Sequence, residues 1–180
     1  MKIYFVRHGQ SESNKKGILT GHIDIPLSSE GIEQAKKTSL EISSDFEEIY
    51  SSDLIRCKQT AEIINKKLNT SIKYDSRLRE RNFGSLAGKS WEEVGQELKE
   101  IDKNQKYDYQ PYGGEHVDDV KKRIFSCIEE IKTKHPNKKI LIVTSGGIIR
   151  LLHNMINGQV HGYIENSSIH EFEFPDNFLS

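Results

Sequence analysis

The sequence has few cysteines and no excess of charge of either sign, and each shortage excludes a class of protein. Its two cysteines, Cys57 and Cys127, lie far apart and form neither a CxxC pair nor a Cys/His ligand spacing. This argues against a disulfide framework and against a structural zinc site. The 26 Lys and Arg residues are balanced by 27 Asp and Glu residues. The basic excess that favours nucleic acid or an anionic membrane is therefore missing.

Long apolar runs are lacking as well. No stretch approaches the roughly 18 apolar residues of a membrane-spanning helix. The apolar run at residues 3–6 is too short for the core of a signal peptide. We therefore expect a soluble, cytoplasmic protein. At this length, and without a linker or an internal repeat, residues 1–180 are expected to form one domain.

What the sequence does contain is an alternation of short strands and amphipathic helices. The predicted strands are 2–6, 48–51, 139–144 and 168–174. The predicted helices are 30–43, 54–68 with Asp53 as its cap, 91–101, 117–131 and 148–155. Strands separated by helices predict an α/β fold, a three-layer sandwich whose mostly parallel central sheet carries helices on both faces.

Polar residues follow three of these strands directly. In parallel sheets ligands bind at the C-terminal ends of the strands. Arg7-His8-Gly9, the segment 51–56 and the segment 145–147 are therefore expected to share one edge of the sheet.

Arg7-His8-Gly9 is the first chemical signal on that edge. A neutral imidazole can attack phosphorus, an adjacent guanidinium can hold two phosphoryl oxygens, and a glycine lets another group approach closely. A histidine in such a place is more often a packed structural residue, so the tripeptide alone leaves both interpretations open.

The signal continues in six blocks of sequence that span nearly the whole chain. They are FVRHGQSESN (5–14), GHIDIPLSSEGIEQA (21–35), SSDLIRCKQTAEII (51–64), LRERNFGSLAGKSWEE (78–93), YGGEHVDDVKKR (112–123) and VTSGGIIR (143–150). In this order they resemble the motifs of the histidine phosphatase superfamily, which includes the cofactor-dependent phosphoglycerate mutases. The resemblance implies a phosphoglycerate mutase-like fold.

It also implies a histidine that takes a phosphoryl group and passes it to water. Carried over position by position, His8 is the nucleophile and Glu80 is the proton donor to the leaving group. The implied phosphate ligands are Arg7, His8, Asn14, Arg56, Ser145 and Gly146. Phosphoryl transfer depends mainly on positioning and charge stabilisation, which such a set supplies. Because the arginines provide the positive charge, no metal or other cofactor is implied.

Glu80 stands among Arg77, Arg79 and Arg81, where a carboxylate is normally ionised. To act as an acid it needs burial or a bound phosphate to raise its pKa. Taken in isolation, Glu80 is a salt-bridge partner and Arg56 a solvated helix charge; the surrounding blocks favour the catalytic interpretation.

One position departs from the superfamily pattern. Ser145 stands where the resemblance calls for the second catalytic histidine. A serine hydroxyl is neutral and donates one hydrogen bond, and losing one preorganised donor costs about 2.7–4 kcal/mol, roughly 10²–10³ in rate. Three interpretations remain open: an engineered replacement, a natural residue in a weakened or compensated enzyme, and a catalytically silent descendant that only binds phosphorylated ligands.

The superfamily includes both mutases and phosphatases, and the blocks favour a phosphatase. About 28 residues separate Gly84 from Gly113, which leaves no room for the insertion typical of the mutases. The chain resembles the small branch that includes α-ribazole and broad-specificity phosphatases. We expect hydrolysis of a small phosphorylated metabolite by a monomer or homodimer; a non-catalytic phosphate-binding module is the alternative, and a mutase is less favoured.

Loops that border the pocket in the superfamily contain further candidates. His22, Glu115 and His116 are candidate substrate contacts, although exposed loop histidines are the simpler interpretation of the first and third. The tyrosine-rich segment 104–112 is a candidate part of a lid that selects the substrate.

Overall fold

The computed structural model describes residues 1–175, so residues 176–180 of the predicted domain lie outside the described part. The strands are β1 (Lys2–Arg7), β2 (Glu48–Ser51), β3 (Ser71–Tyr74), β4 (Ile140–Thr144) and β5 (Ile169–Glu173). The α-helices are α1 (Glu12–Lys15), α2 (Ser29–Glu41), α3 (Ile55–Leu68), α4 (Trp91–Val94), α5 (Gln96–Lys103), α6 (Val117–Lys134) and α7 (Gly146–Asn157). Short 3₁₀ turns occur at Ser76–Leu78, Gly84–Leu86 and Gln110–Tyr112. Within residues 1–175, none of the helices is long and apolar enough to cross a bilayer.

The strands form one sheet in the order β3-β2-β4-β1-β5. The first four in that order run parallel to one another, and β5 pairs antiparallel with β1 at one edge. Parallel neighbours need crossover connections, which the helices between the strands supply. The predicted α/β class with a mostly parallel central sheet is confirmed.

The two faces of the sheet are covered by different helices, because side chains alternate between the faces along a strand. Ile140 and Ile142 of β4 belong to the core under α6 and α7. Leu141 and Val143 belong to a second core, formed with α3 and the residues after α2. The apolar run KILIVT thus contributes side chains to both cores. Because helices cover each core, the sheet becomes the middle of three layers.

Several local predictions are wrong, each for a physical reason. Strand β3 has no alternating pattern, since it is a short, mostly exposed edge strand that pairs with β2. The predicted helix 91–101 is broken at Gly95 into α4 and α5. Asp53 does not cap α3; its carboxylate binds the Arg79 guanidinium through two hydrogen bonds of 2.6 Å. The amphipathic pattern of the predicted helix 30–43 places Leu40 on its inward face, but Leu40 is 79% exposed.

A buried carboxylate ties β2 to the neighbouring elements at the end of the sheet opposite the segments singled out above. Glu48 accepts hydrogen bonds from Lys73 Nζ (2.7 Å) and Ser71 Oγ (2.9 Å), and His135 Nε2 lies 2.8 Å from its other oxygen. Burial pushes the Glu48 pKa upward, but the Lys73 ammonium, the Ser71 hydroxyl and His135 outweigh it and hold the pKa below its usual value of 4.5. The ionised carboxylate therefore contributes to stability.

We expect Glu48→Gln to lower the free energy of unfolding by about 1–3 kcal/mol near neutral pH, because buried donors lose a charged acceptor. A depressed pKa in the folded state stabilises above about pH 4.5 and loses its effect as the pH falls through the folded value. The difference between the two proteins should therefore shrink in acid. Urea unfolding at about pH 7 and about pH 3 measures it, with the exposed Glu33→Gln as the control. A difference that stays constant across this range would contradict the assignment.

Candidate active site

The sheet brings the predicted segments together at one edge. Arg7 pairs with Thr144 at the ends of β1 and β4, and the His8 N–H donates to the Thr144 carbonyl (3.0 Å). A cavity of about 350 Å³ opens there. Its lining includes six of the residues predicted from the sequence, namely Arg7, His8, Asn14, Arg56, Glu80 and Gly146.

His8 is buried at the base of this cavity. Its Nδ1 lies 2.7 Å from the Gly9 carbonyl oxygen, which can only accept, so the proton is assigned to Nδ1 and the lone pair to Nε2. Burial, followed by the charges of Arg56 and Arg7, holds the pKa of His8 well below its usual value. The imidazole is therefore neutral at neutral pH, as a nucleophile must be.

Position 9 requires glycine, because another part of the backbone approaches it closely, as the tripeptide suggested. A Cβ at this position would lie 2.3 Å from the carbonyl oxygen of Gly31. The start of α2 thus packs directly against the loop that carries His8.

Two arginines flank His8, and neutral groups hold both. Arg56 donates to the carbonyls of Gly21 (2.8 Å) and Ile23 (3.0 Å). Arg7 donates through Nη1 to the Ile164 carbonyl and lies under the ring of Tyr163, 4.8 Å from its centroid. Neither makes an ion pair with any acid of the described chain, and Arg7 Nε has no hydrogen-bond partner there. No ion pair therefore neutralises either charge, although the Glu80 carboxylate acts on Arg7 without contacting it. Two such cations suit an anion in the cavity.

Asn14 is positioned by the cap of α1. Its Oδ1 accepts the Ser11 N–H (3.1 Å) in a capping box. Asn166 Nδ2 lies 3.4 Å from the same oxygen and donates to the His8 carbonyl at 3.0 Å. Because the oxygen is engaged, the Asn14 amide offers its Nδ2 donor to the cavity.

Glu80 is held as an anion. Its Oε1 accepts from the backbone N–H of Arg81 (2.9 Å) and from Arg81 Nη1 (2.7 Å), and its Oε2 accepts from the Gly147 N–H (3.1 Å). Burial pushes the pKa upward, but the charges of Arg81 and Arg150 and these N–H groups lower it to about 2. Burial alone therefore does not prepare this group as an acid.

Ser145 lies between β4 and α7, beside the nucleophile's loop. It is buried and occupies the N-cap of α7, but its side chain makes no capping hydrogen bond. Within residues 1–175 its Oγ has no nitrogen or oxygen partner, but it interacts with the buried Cys57 thiol. Ser145 is not part of the described lining of the cavity.

The three candidate substrate contacts lie behind the cavity wall and are not part of its described lining. His22 Nε2 donates to the Glu80 carbonyl (2.7 Å), and Glu115 accepts from the Asn82 N–H (2.7 Å). His116 caps α6 by accepting the Asp118 N–H at 3.1 Å. Two of them therefore support the segment that carries Glu80.

Two of the three tyrosines in the segment 104–112 belong to the core, whereas Tyr112 is 40% exposed. Tyr107 and Tyr109 are fully buried, and their rings stack on each other at 5.2 Å. The wall next to Glu80 is built instead by Phe83, Trp91 and Lys99.

Sequence reasoning missed three cations of the lining, Arg81, Lys99 and Arg150. Arg81 and Arg150 stand inside recognised blocks, next to Glu80 and after the glycine pair, and this was the available signal. Lys99 reaches the cavity because of the orientation of α5, which no sequence motif predicts.

The fold and the site define a class. The profile of the histidine phosphatase superfamily (branch 1) matches residues 3–177, so the chain belongs to this superfamily.

Relatives within the class are mostly phosphatases by name. A broad-specificity phosphatase of Saccharomyces cerevisiae is 33% identical over 170 residues, which cover 89% of this chain and 72% of the relative. A metal-independent phosphoserine phosphatase of Arabidopsis thaliana is 30% identical over 183 residues, which cover 97% and 77%. Among solved structures, a phosphoglycerate mutase of Thermus thermophilus superposes with a TM-score of 0.82 at 30% identity, over 97% of this chain and 94% of that one. These similarities support phosphomonoester hydrolysis as the reaction class.

We expect Gly147→Ala to lower turnover of phosphate esters by about 10²-fold, the effect of misplacing a reacting group by about 1 Å. A Cβ there would lie 1.6 Å from Arg81 Nη1 and 2.3 Å from Glu80 Oε1, so both side chains must move. Gly162→Ala is the matched control, because Gly162 also lines the cavity but its Cβ would meet nothing within 4 Å. Steady-state kinetics with both variants checks this, and equal effects would refute it.

Proposed function

We propose that this chain hydrolyses phosphomonoesters of small metabolites through a phosphohistidine on His8. One observation supports this above the others: a neutral imidazole with a free Nε2 lone pair lies beside two arginines that no described carboxylate neutralises. A neutral nucleophile next to uncompensated positive charge is the arrangement that attack on a phosphate ester needs.

In the first half-reaction Nε2 of His8 attacks phosphorus and the bond to the ester oxygen breaks. Arg7, Arg56 and the Asn14 amide hold the phosphoryl oxygens, together with N–H groups at the start of α7, where the helix dipole favours anions. The leaving oxygen takes a proton from Glu80.

In the second half-reaction a water molecule attacks the phosphohistidine. Glu80, now a carboxylate, accepts a proton from that water, the P–N bond breaks, and His8 is again neutral. Glu80 passes this proton to the departing phosphate, which leaves as the monoanion, so the carboxylate is again ionised as in the free protein.

The proton that Glu80 donates enters with the substrate. Glu80 is ionised in the free protein, with a pKa of about 2. A bound phosphoryl group adds negative charge next to the carboxylate and raises its pKa. A phosphate monoester, whose second pKa is about 6, brings the proton that the two anions then share.

Ser145 makes this a slow enzyme in our proposal. Its Oγ offers at most one neutral hydrogen bond to the transferring group, where an imidazolium would offer a charge as well. The same residue supports the rival function, a non-catalytic module that binds phosphorylated ligands. The three interpretations of Ser145 given in the sequence analysis concern how the serine arose. The two functions, a phosphatase and a binding module, differ in whether His8 becomes phosphorylated.

His8→Ala separates these two functions. We expect mixtures with ³²P-labelled p-nitrophenyl phosphate, quenched in detergent at alkaline pH, to contain an acid-labile, alkali-stable label on the unchanged chain and none on His8→Ala. Turnover should disappear with the label. His135→Ala, which removes another buried histidine far from the cavity, should keep both. A folded, unchanged chain that acquires no label would favour the binding module.

Ser145→His tests the impairment. We expect turnover to rise by about 10²–10³, the value of one preorganised donor. Ser145→Ala is the control, since it changes the same buried position without adding an imidazole. If Ser145→His folds but neither it nor the unchanged chain turns over p-nitrophenyl phosphate, the enzyme proposal fails.

A further inference from the structure

Asp102, on the buried side of α5, is a carboxylate with four hydrogen-bond donors. It is only 1% exposed. Its Oδ1 accepts from Arg81 Nε (2.7 Å) and the Tyr109 hydroxyl (2.7 Å), and its Oδ2 accepts from Arg81 Nη2 (2.8 Å) and Arg150 Nη2 (2.6 Å). Because no substrate can reach so buried a group, any effect on the reaction must pass through these partners.

Arg81 connects Asp102 to Glu80. The guanidinium gives Nε and Nη2 to Asp102 and Nη1 to Glu80 Oε1 at 2.7 Å. It is stacked over the ring of Phe83, 4.7 Å from the centroid. The bidentate pair with Asp102 fixes the plane of the guanidinium, and that plane fixes where Nη1 meets Glu80.

Arg150 gives Asp102 a second route to the cavity. It reaches Asp102 from α7, the helix whose first turn donates the Gly147 N–H to Glu80 Oε2. Both Arg81 and Arg150 line the cavity. Unlike Arg7 and Arg56, they share a buried carboxylate, so they are oriented and partly neutralised from behind.

We propose that Asp102 is a positioning residue for proton donation: by orienting Arg81, it holds the Glu80 carboxyl group at the leaving oxygen. This inference rests on the proposed function, in which Glu80 is the proton donor. Among the described residues, Asp102 of α5 is the only carboxylate that forms ion pairs with two arginines of the cavity. The inference thereby gives α5 a role in the reaction.

The leaving group provides the test. p-Nitrophenolate leaves without protonation, whereas the alkoxide of β-glycerophosphate needs a proton. Because hydrolysis of the phosphohistidine is common to both substrates, the comparison uses kcat/KM, which reports only the steps up to release of the leaving group. Glu80→Gln should therefore lower kcat/KM for β-glycerophosphate by about 10²–10⁴, the usual contribution of a general acid, and lower kcat/KM for p-nitrophenyl phosphate far less. Asp102→Asn should move the ratio of the two kcat/KM values in the same direction, by about 10-fold or more.

Asp75→Asn is the matched control. Asp75 also binds an arginine bidentately, accepting from Nε (3.0 Å) and Nη2 (2.6 Å) of Arg77, but lies outside the described cavity lining. It should lose stability and keep the ratio. In the double variant Glu80→Gln/Asp102→Asn the ratio should equal that of Glu80→Gln alone, because two changes acting through one group do not add.

Each result decides the matter. If Glu80→Gln shifts the ratio and Asp102→Asn lowers both kcat/KM values equally, Asp102 has a structural role and only this inference falls. If Glu80→Gln itself leaves the ratio unchanged, the assignment of Glu80 falls, and with it the proposed mechanism. Should Asp102→Asn not fold, Tyr109→Phe removes one donor to Asp102 at little loss of volume. It should shift the ratio a few-fold in the same direction, and an unshifted ratio would overturn the proposal.

Discussion

Arg7 pairs with Thr144 in the parallel ladder between β1 and β4, and the His8 N–H continues that ladder into the loop. This pairing at the centre of the sheet is the constraint on which the site depends. It sets the nucleophile beside Ser145 and the start of α7, because parallel strands end at the same edge. Since β1 and β4 are buried on both faces, a slip in register would turn core residues toward the wrong layer. The geometry of the cavity is therefore protected by the packing of the whole molecule.

The arginines around the cavity fall into two kinds. Arg7 and Arg56 are held by carbonyl oxygens and form no ion pair with a carboxylate of residues 1–175. Arg81 and Arg150 share Asp102, and Arg81 also binds Glu80. The near-zero net charge of the chain thus conceals a local separation between cations beside His8 that form no ion pair and cations that pair with buried carboxylates.

Much of the fold and the placement of the main site residues could be predicted from the sequence. The β-branched runs before His8 and Ser145, and the rule that ligands bind at strand ends, were enough to bring these residues to one edge. Strand β3 could not be found, because a four-residue edge strand pairs through its backbone and needs no side-chain pattern. The composition of the segment with Tyr107 and Tyr109 was typical of a lid, but both side chains are packed in the core. His116 and Lys99 show the same limit: which face of a helix or loop meets a cavity depends on neighbours distant in sequence.

The loop between α7 and β5 has a further consequence. Its Asn166 donates to the His8 carbonyl, and its Ser167 N–H donates to the Arg7 carbonyl at 3.0 Å. The nucleophile's loop is thus completed by residues that enter the structure when β5 pairs with β1. Contacts so distant in sequence must offset the loop-closure entropy of the chain between them. A ligand that requires the completed pocket stabilises the folded state by RT ln(1 + [L]/Kd). An anion that binds in the cavity therefore also stabilises the antiparallel pairing of β5 with β1, the last and first strands of the described chain.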